Sequence, residues 1–146
     1  MFQTIRENLR EATFNVLETM FFAVPEYFDG PGDARWDVEG VIHLTADQKL
    51  TVFLLLPKSL GISLASNFLG VEPQEVSNDQ LLDLIREMTN MVGGNLVTRL
   101  GDETIALGLP ESRLAPLSEK PSLDPANQVT LRLEDYLMTI VWSLES

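Results

Sequence analysis

The hydrophobic positions of this chain recur at two kinds of spacing. In three segments they repeat at steps of three and four, which indicates helices with one buried face. In five others they alternate or form short unbroken runs between turn residues, which indicates strands. The predicted helices run from Thr4 to about Phe22, from Pro57 to Gly70 and from Ser77 to Gly101. The predicted strands run from Arg35 to Thr45, Leu50 to Leu56, Glu103 to Leu109, Asn127 to Leu133 and Tyr136 to Leu144.

The segment from Ser77 to Gly101 carries the clearest helix pattern. Ser77 and Gln80 have the spacing of a capping box, and Gly101 suits the left-handed backbone that ends a helix. The face predicted to be buried holds Leu81, Leu84, Ile85, Met88, Val92, Leu96 and the stem of Arg99, with Met91 at its edge. The opposite stripe holds Asp83, Glu87, Asn90 and Gly94. Because Glu87 and Asn90 are one turn apart, this stripe places a carboxylate beside a carboxamide.

The first helix has a similar pattern at its start. Thr4 and Glu7 predict a second capping box, and Pro25 follows the last apolar position. Its apolar face holds Ile5, Leu9, Ala12, Val16 and Met20. Its polar stripe holds Glu7, Asn8, Glu11, Asn15 and Glu18.

Small residues in the other two helices predict close contacts. Gly93 and Gly94 each cost about 1 kcal/mol relative to alanine inside a helix, which points to close approach by another backbone or by a partner surface. Gly61 and Ala65 predict that the short helix packs closely on its neighbour.

Turn residues separate these elements. The segment from Tyr27 to Ala34 is predicted to be a turn, and the one from Glu111 to Ala126, which contains three prolines, a loop. The strands on either side of Ala46-Asp47-Gln48 are predicted to pair as an antiparallel hairpin, and the last two as a hairpin turning at Glu134-Asp135. The sequence therefore predicts a single α+β domain over residues 1–146, in which two long helices and a short helix pack on a mainly antiparallel sheet of about five or six strands. The apolar residues between Tyr136 and Leu144 additionally favour a homodimer.

Composition narrows the classes of partner. The 22 acidic and 10 basic residues give a formal charge of −12, which disfavours nucleic acid and anionic membranes as partners. Cysteine is absent from the sequence, so disulfide and thiolate chemistry are excluded. No apolar run reaches the roughly 20 residues of a membrane span, and the N-terminus does not have the pattern of a signal peptide. These observations predict a cytoplasmic protein without a membrane span.

Common catalytic patterns are weak in this sequence. His43 stands in a predicted strand without a second metal-ligating residue nearby, which disfavours a zinc site or a catalytic triad. Ser59, Ser63 and Ser66 are outside any G-x-S-x-G elbow, and the GPG at residues 30–32 is not followed by the residues of a phosphate-binding loop. We expect no metal or cofactor of its own.

One run of the long helix resembles a known family. REMTNMVGGN contains an E-x-x-N spacing at Glu87 and Asn90, then a pair of small residues and Asn95. This run resembles the signature helix of the CheX-like and CheC-like chemotaxis phosphatases, a group that includes FliY. ASNFLGVEP, from Ala65 to Pro73, and LETMF, from Leu17 to Phe21, are similar to the same family.

The resemblance covers Leu60 to Gly108 well and Asn15 to Phe22 weakly, and it implies a CheC-like fold. In double-site members of the family the first helix carries another E-x-x-N. The nearest pairing here, Glu11 with Asn15, has a different spacing. The single-site, CheX-like pattern is therefore favoured.

The function that the resemblance implies is hydrolysis of the acyl phosphate on a phosphorylated CheY-like response regulator. Asn90 would orient the in-line water, and Glu87 would pair with a cation on the regulator. Asp83, Arg86 and Gly94 would border the contact with this partner. The aspartyl phosphate and Mg²⁺ would belong to the regulator, and the family also implies a homodimer formed by strand pairing at a sheet edge.

Two other interpretations compete with this hypothesis. The same face could bind a receiver domain or a flagellar switch component without hydrolysis, and Arg86 and the acidic surface are compatible with such a binding module. Glu87 and Asn90 could also be a plain solvated helix face. Asn95 falls toward the apolar side, which predicts a buried amide that satisfies backbone groups.

Overall fold

The computed structural model describes residues 4–29, 36–114 and 125–145. Its helices are α1 (Ile5–Met20), α2 (Lys58–Leu69) and α3 (Asn78–Leu100). Its strands are β1 (Glu26–Phe28), β2 (Val38–Thr45), β3 (Lys49–Leu56), β4 (Ala106–Leu107), β5 (Glu111–Leu114), β6 (Gln128–Leu133) and β7 (Tyr136–Glu145). Short 3₁₀ turns occupy Pro73–Glu75 and Pro125–Asn127.

The strands form one antiparallel sheet. Their spatial order is β1, β6, β7, β3, β2 and β4, and β5 also pairs with β2. β2 and β3 form the predicted hairpin with Val38 opposite Leu56, and β6 and β7 form the second hairpin, which turns between Leu133 and Tyr136. The predicted α+β class is confirmed, and the described residues form seven strands where five or six were predicted.

The helices share one face of this sheet. α1 and α3 lie against each other, with α3 over β2 and α1 over β6, while α2 packs on α3. Alternate side chains of β2 and β3 point into this layer, and the fully buried ones include Val38, Ile42, Leu44, Leu50 and Leu54. The interface between α3 and the sheet is tight at Gly40, where an added Cβ would lie 2.0 Å from Thr89 Oγ1.

The ends of α1 and α2 differ in how well local signals predicted them. Thr4 makes no capping hydrogen bond, because its backbone (φ −108°, ψ 28°) is not extended and its hydroxyl accepts from Asn8 Nδ2 at 2.8 Å. The predicted capping box at Thr4 is therefore wrong. α2 begins after Pro57 and ends at Gly70, whose φ is 69°. A Cβ on Gly61 would lie 2.8 Å from Leu81 Cδ1, so the predicted close packing of α2 is confirmed.

Three predicted strand boundaries need correction. Residues 26–28, assigned in part to a turn, form β1 on the edge beside β6, and residues 111–114, assigned to a loop, form β5 beside β2. The predicted strand from Glu103 to Leu109 shortens to β4. The remainder of both predicted connections, residues 30–34 and 115–124, lies outside the described residues, as does Arg35, where a strand was predicted to begin.

The position of the last strand bears on the predicted homodimer, which was based on the apolar residues between Tyr136 and Leu144. β7 lies inside the sheet between β6 and β3, and Met138, Ile140, Val141 and Trp142 are buried there. These four side chains are buried within one chain, whereas Leu144, near the end of the same strand, is 44% exposed. The four buried residues therefore do not support the homodimer, which stays a prediction.

Candidate functional site

The long helix α3 is fixed at both ends by its own sequence. Ser77 Oγ accepts from the Gln80 amide at 3.1 Å, and Gln80 Oε1 accepts from the Ser77 amide at 3.0 Å. Gly101 ends the helix in the left-handed conformation, with φ 69°. The predicted capping box and stop are both confirmed, so the residues between them sit on a helix of 23 residues with defined ends.

One face of α3 belongs to the core. Its buried residues are Leu81, Leu84, Ile85, Met88, Thr89, Val92, Gly93 and Leu96. The Thr89 hydroxyl donates to the Ile85 carbonyl at 2.6 Å, so this buried polar group is satisfied within the helix. Because this face is held against the sheet, the opposite face has a fixed direction toward solvent.

The outward stripe holds the residues that carried the functional prediction. Glu87 is exposed and Asn90 is half-buried, and both lie off the buried face. A Cβ on Gly94 would meet nothing within 4 Å, so the surface beside Asn90 is open. Within residues 4–29, 36–114 and 125–145, the side chains of Glu87 and Asn90 make no hydrogen bond or ion pair. Both side chains are therefore available to a binding partner.

Asp83 lies one turn before Glu87 on the same helix, and Arg86 is the residue directly before Glu87. Arg86 Nη1 donates to Asp83 Oδ1 at 2.8 Å, and both side chains remain substantially exposed, at 43% for Arg86 and 72% for Asp83. An exposed pair of this kind contributes about 0.2–1 kcal/mol, so a partner could displace it at small cost. Their assignment to partner binding stays a prediction.

A cleft of about 720 Å³ runs between α1 and α3. Asn90 and Gly94 line it from α3, and Asn15 and Thr19 line it from α1. Asn15 belongs to the polar stripe of α1, and its spacing from Glu11 differs from the E-x-x-N of double-site family members. Its position in this cleft could not be read from spacing along α1, because it depends on how α1 lies against α3.

One cation joins the two helices across the cleft. Arg99 Nη1 donates to Glu11 Oε2 at 3.0 Å, and Arg99 Nε donates to Asn95 Oδ1 at 2.7 Å. Asn95 is half-buried and bonds a side chain, so the prediction of a buried amide serving the backbone is wrong. The Glu11 carboxylate is engaged with Arg99, which gives it a structural role beside Asn15.

The structure does not bring the other candidate residues together into a second site among the described residues. His43 Nδ1 lies 2.9 Å from Thr51 Oγ1 in neighbouring strands. Among the described residues, no group of three or more His, Cys, Asp or Glu side chains could hold a metal ion. No helix in the described part of the chain is long and apolar enough to cross a membrane. The chemistry that this site offers is thus a carboxamide that can donate and accept, with a carboxylate one turn away.

Comparisons with known proteins agree with this fold. Among solved structures, CheX from Desulfovibrio desulfuricans matches with a TM-score of 0.74 at 20% identity, over 97% of this chain and 99% of that one. CheX from Vibrio vulnificus matches with a TM-score of 0.69 at 19% identity, over 94% and 95% of the two chains. A Borrelia burgdorferi structure of a CheX–CheY–BeF₃–Mg²⁺ complex matches with a TM-score of 0.72 at 16% identity, over 97% of each chain. At these identities the likeness shows a common fold.

The match to a family model is more specific. No curated protein matches the chain in sequence. The model of the chemotaxis phosphatase CheX matches residues 38–116, which is more than half of the chain and includes all of α2 and α3. This chain belongs to the CheX chemotaxis phosphatase family.

Proposed function

We propose that this protein is a phosphatase of a phosphorylated CheY-like response regulator and that Asn90 and Glu87 form its active site. One observation carries the proposal. In a member of the CheX family, an acid and an amide point outward together from a capped helix, without partners in the described part of the chain. The Borrelia complex, in which CheX is bound to CheY with BeF₃ and Mg²⁺, supports this choice of partner.

The reaction asks for positioning rather than for a strong base. A water oxygen forms a bond to phosphorus as the bond from phosphorus to the regulator's aspartate oxygen breaks. The electron pair stays on that carboxylate, and the protons of the water pass to phosphate and solvent. The Asn90 carboxamide can accept a hydrogen bond from this water through Oδ1 and donate another through Nδ2, so it orients the water in line with the breaking bond.

Glu87 then fixes the orientation of the regulator. Its exposed carboxylate lies one helical turn before Asn90, where it can pair with a cation on the regulator. Holding the reacting groups in line can contribute about 7–11 kcal/mol in well-ordered systems, so this site needs no nucleophile or metal of its own. The Mg²⁺ of the reaction would be held by the regulator.

Three residues around this pair would complete the contact. The open surface at Gly94 allows the partner to come close to Asn90. Asp83 and Arg86 lie on the other side of Glu87, where their exposed pair can exchange partners with charges on the regulator. A cytoplasmic location is expected for an enzyme with this substrate.

A homodimer formed at a sheet edge is part of the same proposal. β4 and β5 both lie beyond β2 on one edge of the sheet, and Leu109 between them is 88% exposed. Within the described residues no strand pairs beyond β4 and β5, and a strand edge of this kind with an exposed apolar side chain favours pairing with a second chain. Light scattering of the purified protein would give twice the monomer mass, and a monomer at micromolar concentration would contradict this part.

Replacing Asn90 tests the catalytic role. In a phosphate-release assay with CheY phosphorylated by acetyl phosphate, we expect Asn90→Ala to lower kcat by at least about 100-fold, because the attacking water loses its fixed position. The variant should keep its thermal midpoint and most of its affinity for the regulator. Asn67→Ala removes an exposed carboxamide from α2 and serves as the control, with kcat unchanged. Wild-type phosphate release by Asn90→Ala would remove this mechanism.

A further inference from the structure

The cleft between α1 and α3 presents one carboxamide from each helix. Asn90 lines it from α3, and Asn15 lines it from α1. Both side chains are half-buried. Any partner segment that reaches Asn90 from this side therefore also comes within reach of α1.

The other polar side chains of the cleft already have partners. The Thr19 hydroxyl donates to the Asn15 carbonyl at 2.7 Å, and the Thr98 hydroxyl donates to the Gly94 carbonyl at 3.1 Å. The side chains of Asn95 and Arg99 bond each other, as described above. Within the described residues, the Asn15 and Asn90 side chains make no hydrogen bond. Of the polar groups lining the cleft, these two carboxamides keep their full capacity for a ligand.

The position of Asn15 is fixed relative to Asn90. Its neighbours Ala12 and Val16 are buried in the core, so the direction of its side chain follows from the packing of α1. The Glu11–Arg99 pair links α1 to α3 one turn from Asn15. The two carboxamides thus face a common space at a separation that the fold maintains.

The charge of the cleft indicates what fills it. Among the described residues, the lining holds no carboxylate and one cation, Arg99, which is paired with Glu11 and Asn95. A neutral wall with free amide donors and acceptors is complementary to a main-chain peptide group, which also offers one donor and one acceptor. It is less suited to an anion, which would need an unpaired cation.

We infer that Asn15 is a second regulator-binding residue, which exchanges hydrogen bonds with a main-chain peptide group of the regulator segment that enters the cleft while Asn90 reaches the phosphoryl group. This inference rests on the proposed function. Asn15 contributes affinity and approach angle, and the attacking water is oriented by Asn90 alone.

Kinetics of Asn15→Ala test this assignment. With CheY phosphorylated by acetyl phosphate, KM should rise by about five- to tenfold, the effect of one or two lost hydrogen bonds, while kcat changes by less than about twofold. Asn15→Asp removes the donors and adds a charge, so its KM should rise further. Asn67→Ala should match the wild type. Thermal midpoints of all variants should stay close to that of the wild type, because the Asn15 side chain makes no hydrogen bond or ion pair among the described residues.

The outcomes separate this inference from the proposed function. An unchanged KM for Asn15→Ala overturns the inference. A fall in kcat at constant KM also overturns it, because such a fall would mean that Asn15 acts at the reacting atoms or that Asn90 had moved. If the wild type binds CheY–BeF₃–Mg²⁺ but releases no phosphate, the proposed function fails. The inference is then decided by whether Asn15→Ala raises Kd by the same factor. A wild type that does not bind overturns both.

Discussion

Two adjacent glycines on α3 have opposite surroundings. A Cβ on Gly93 would lie 2.9 Å from Ile42 Cδ1 and 3.0 Å from Leu107 Cδ1, whereas a Cβ on Gly94 would meet nothing within 4 Å. Each glycine costs the helix about 1 kcal/mol relative to alanine. The packing of α3 on the sheet explains why Gly93 is a glycine, but nothing in the described fold explains why Gly94 is one. The inner face of α3 is thus shaped by the fold, and the outer face by what must approach it.

Filling the inner position should have the largest effect on stability. Gly93→Leu inserts a side chain where the sheet is already in contact, so we expect the free energy of unfolding to fall by about 1–3 kcal/mol. Urea denaturation monitored by circular dichroism measures the change. If Gly93→Leu and Gly94→Leu shift the urea midpoint by the same amount in the same direction, the inner and outer faces of α3 do not differ in the way described.

Removing the outward carboxylate should weaken docking. Glu87→Ala deletes the proposed ion pair with the regulator, and we expect the regulator concentration at half-maximal rate to rise by about fivefold, the upper end for an exposed pair. Because Glu87 does not touch the water, kcat should change little. Glu103→Ala, an exposed carboxylate beyond the end of α3, is the matched control. A half-maximal concentration equal to that of the wild type would exclude the docking role.

Filling the outer position should separate stability from function. Gly94→Leu gains helix propensity, and its Cβ would meet nothing within 4 Å, so the free energy of unfolding should rise by about 0.5–1 kcal/mol. The same side chain would occupy the surface beside Asn90, so turnover of the phosphorylated regulator should fall. A variant that is more stable and equally active would show that Gly94 has no part in the contact.

Asp83→Ala should have the smallest effect. Asp83 is 72% exposed and already paired with Arg86, so its loss should change the half-maximal regulator concentration by less than about twofold. An effect as large as that of Glu87→Ala would shift the centre of the contact toward the start of α3.

Local signals predicted α3 well and other regions less well, for a physical reason. The limits of α3 follow from Ser77, Gln80 and Gly101, whose side chains or backbone act within one turn. β5 was assigned to a loop because its strand geometry comes from pairing with β2, about 70 positions earlier in the chain. Sequence periodicity does not report such distant pairing.

The candidate site divides in the same way. Glu87 and Asn90 share one helix, so their common direction could be predicted from spacing alone. The roles of Asn15 and Arg99 could not, because they arise where α1 meets α3. Asn95 was misplaced for a different reason: its helical angle lies near the boundary of the buried face. Its partner was a local signal, because Arg99 stands four residues later on the same helix, at a spacing that lets two side chains bond.

The central claim is that the outward pair on α3 makes this protein a catalyst rather than a binder of the regulator. Its most direct test follows the decay of phosphorylated CheY with this protein present at a small fraction of the CheY concentration. We predict that the wild type discharges the whole regulator pool and that Asn90→Ala at the same ratio leaves decay at its spontaneous rate. Discharge that stops after one equivalent per active site, or that proceeds equally with Asn90→Ala, would contradict the claim.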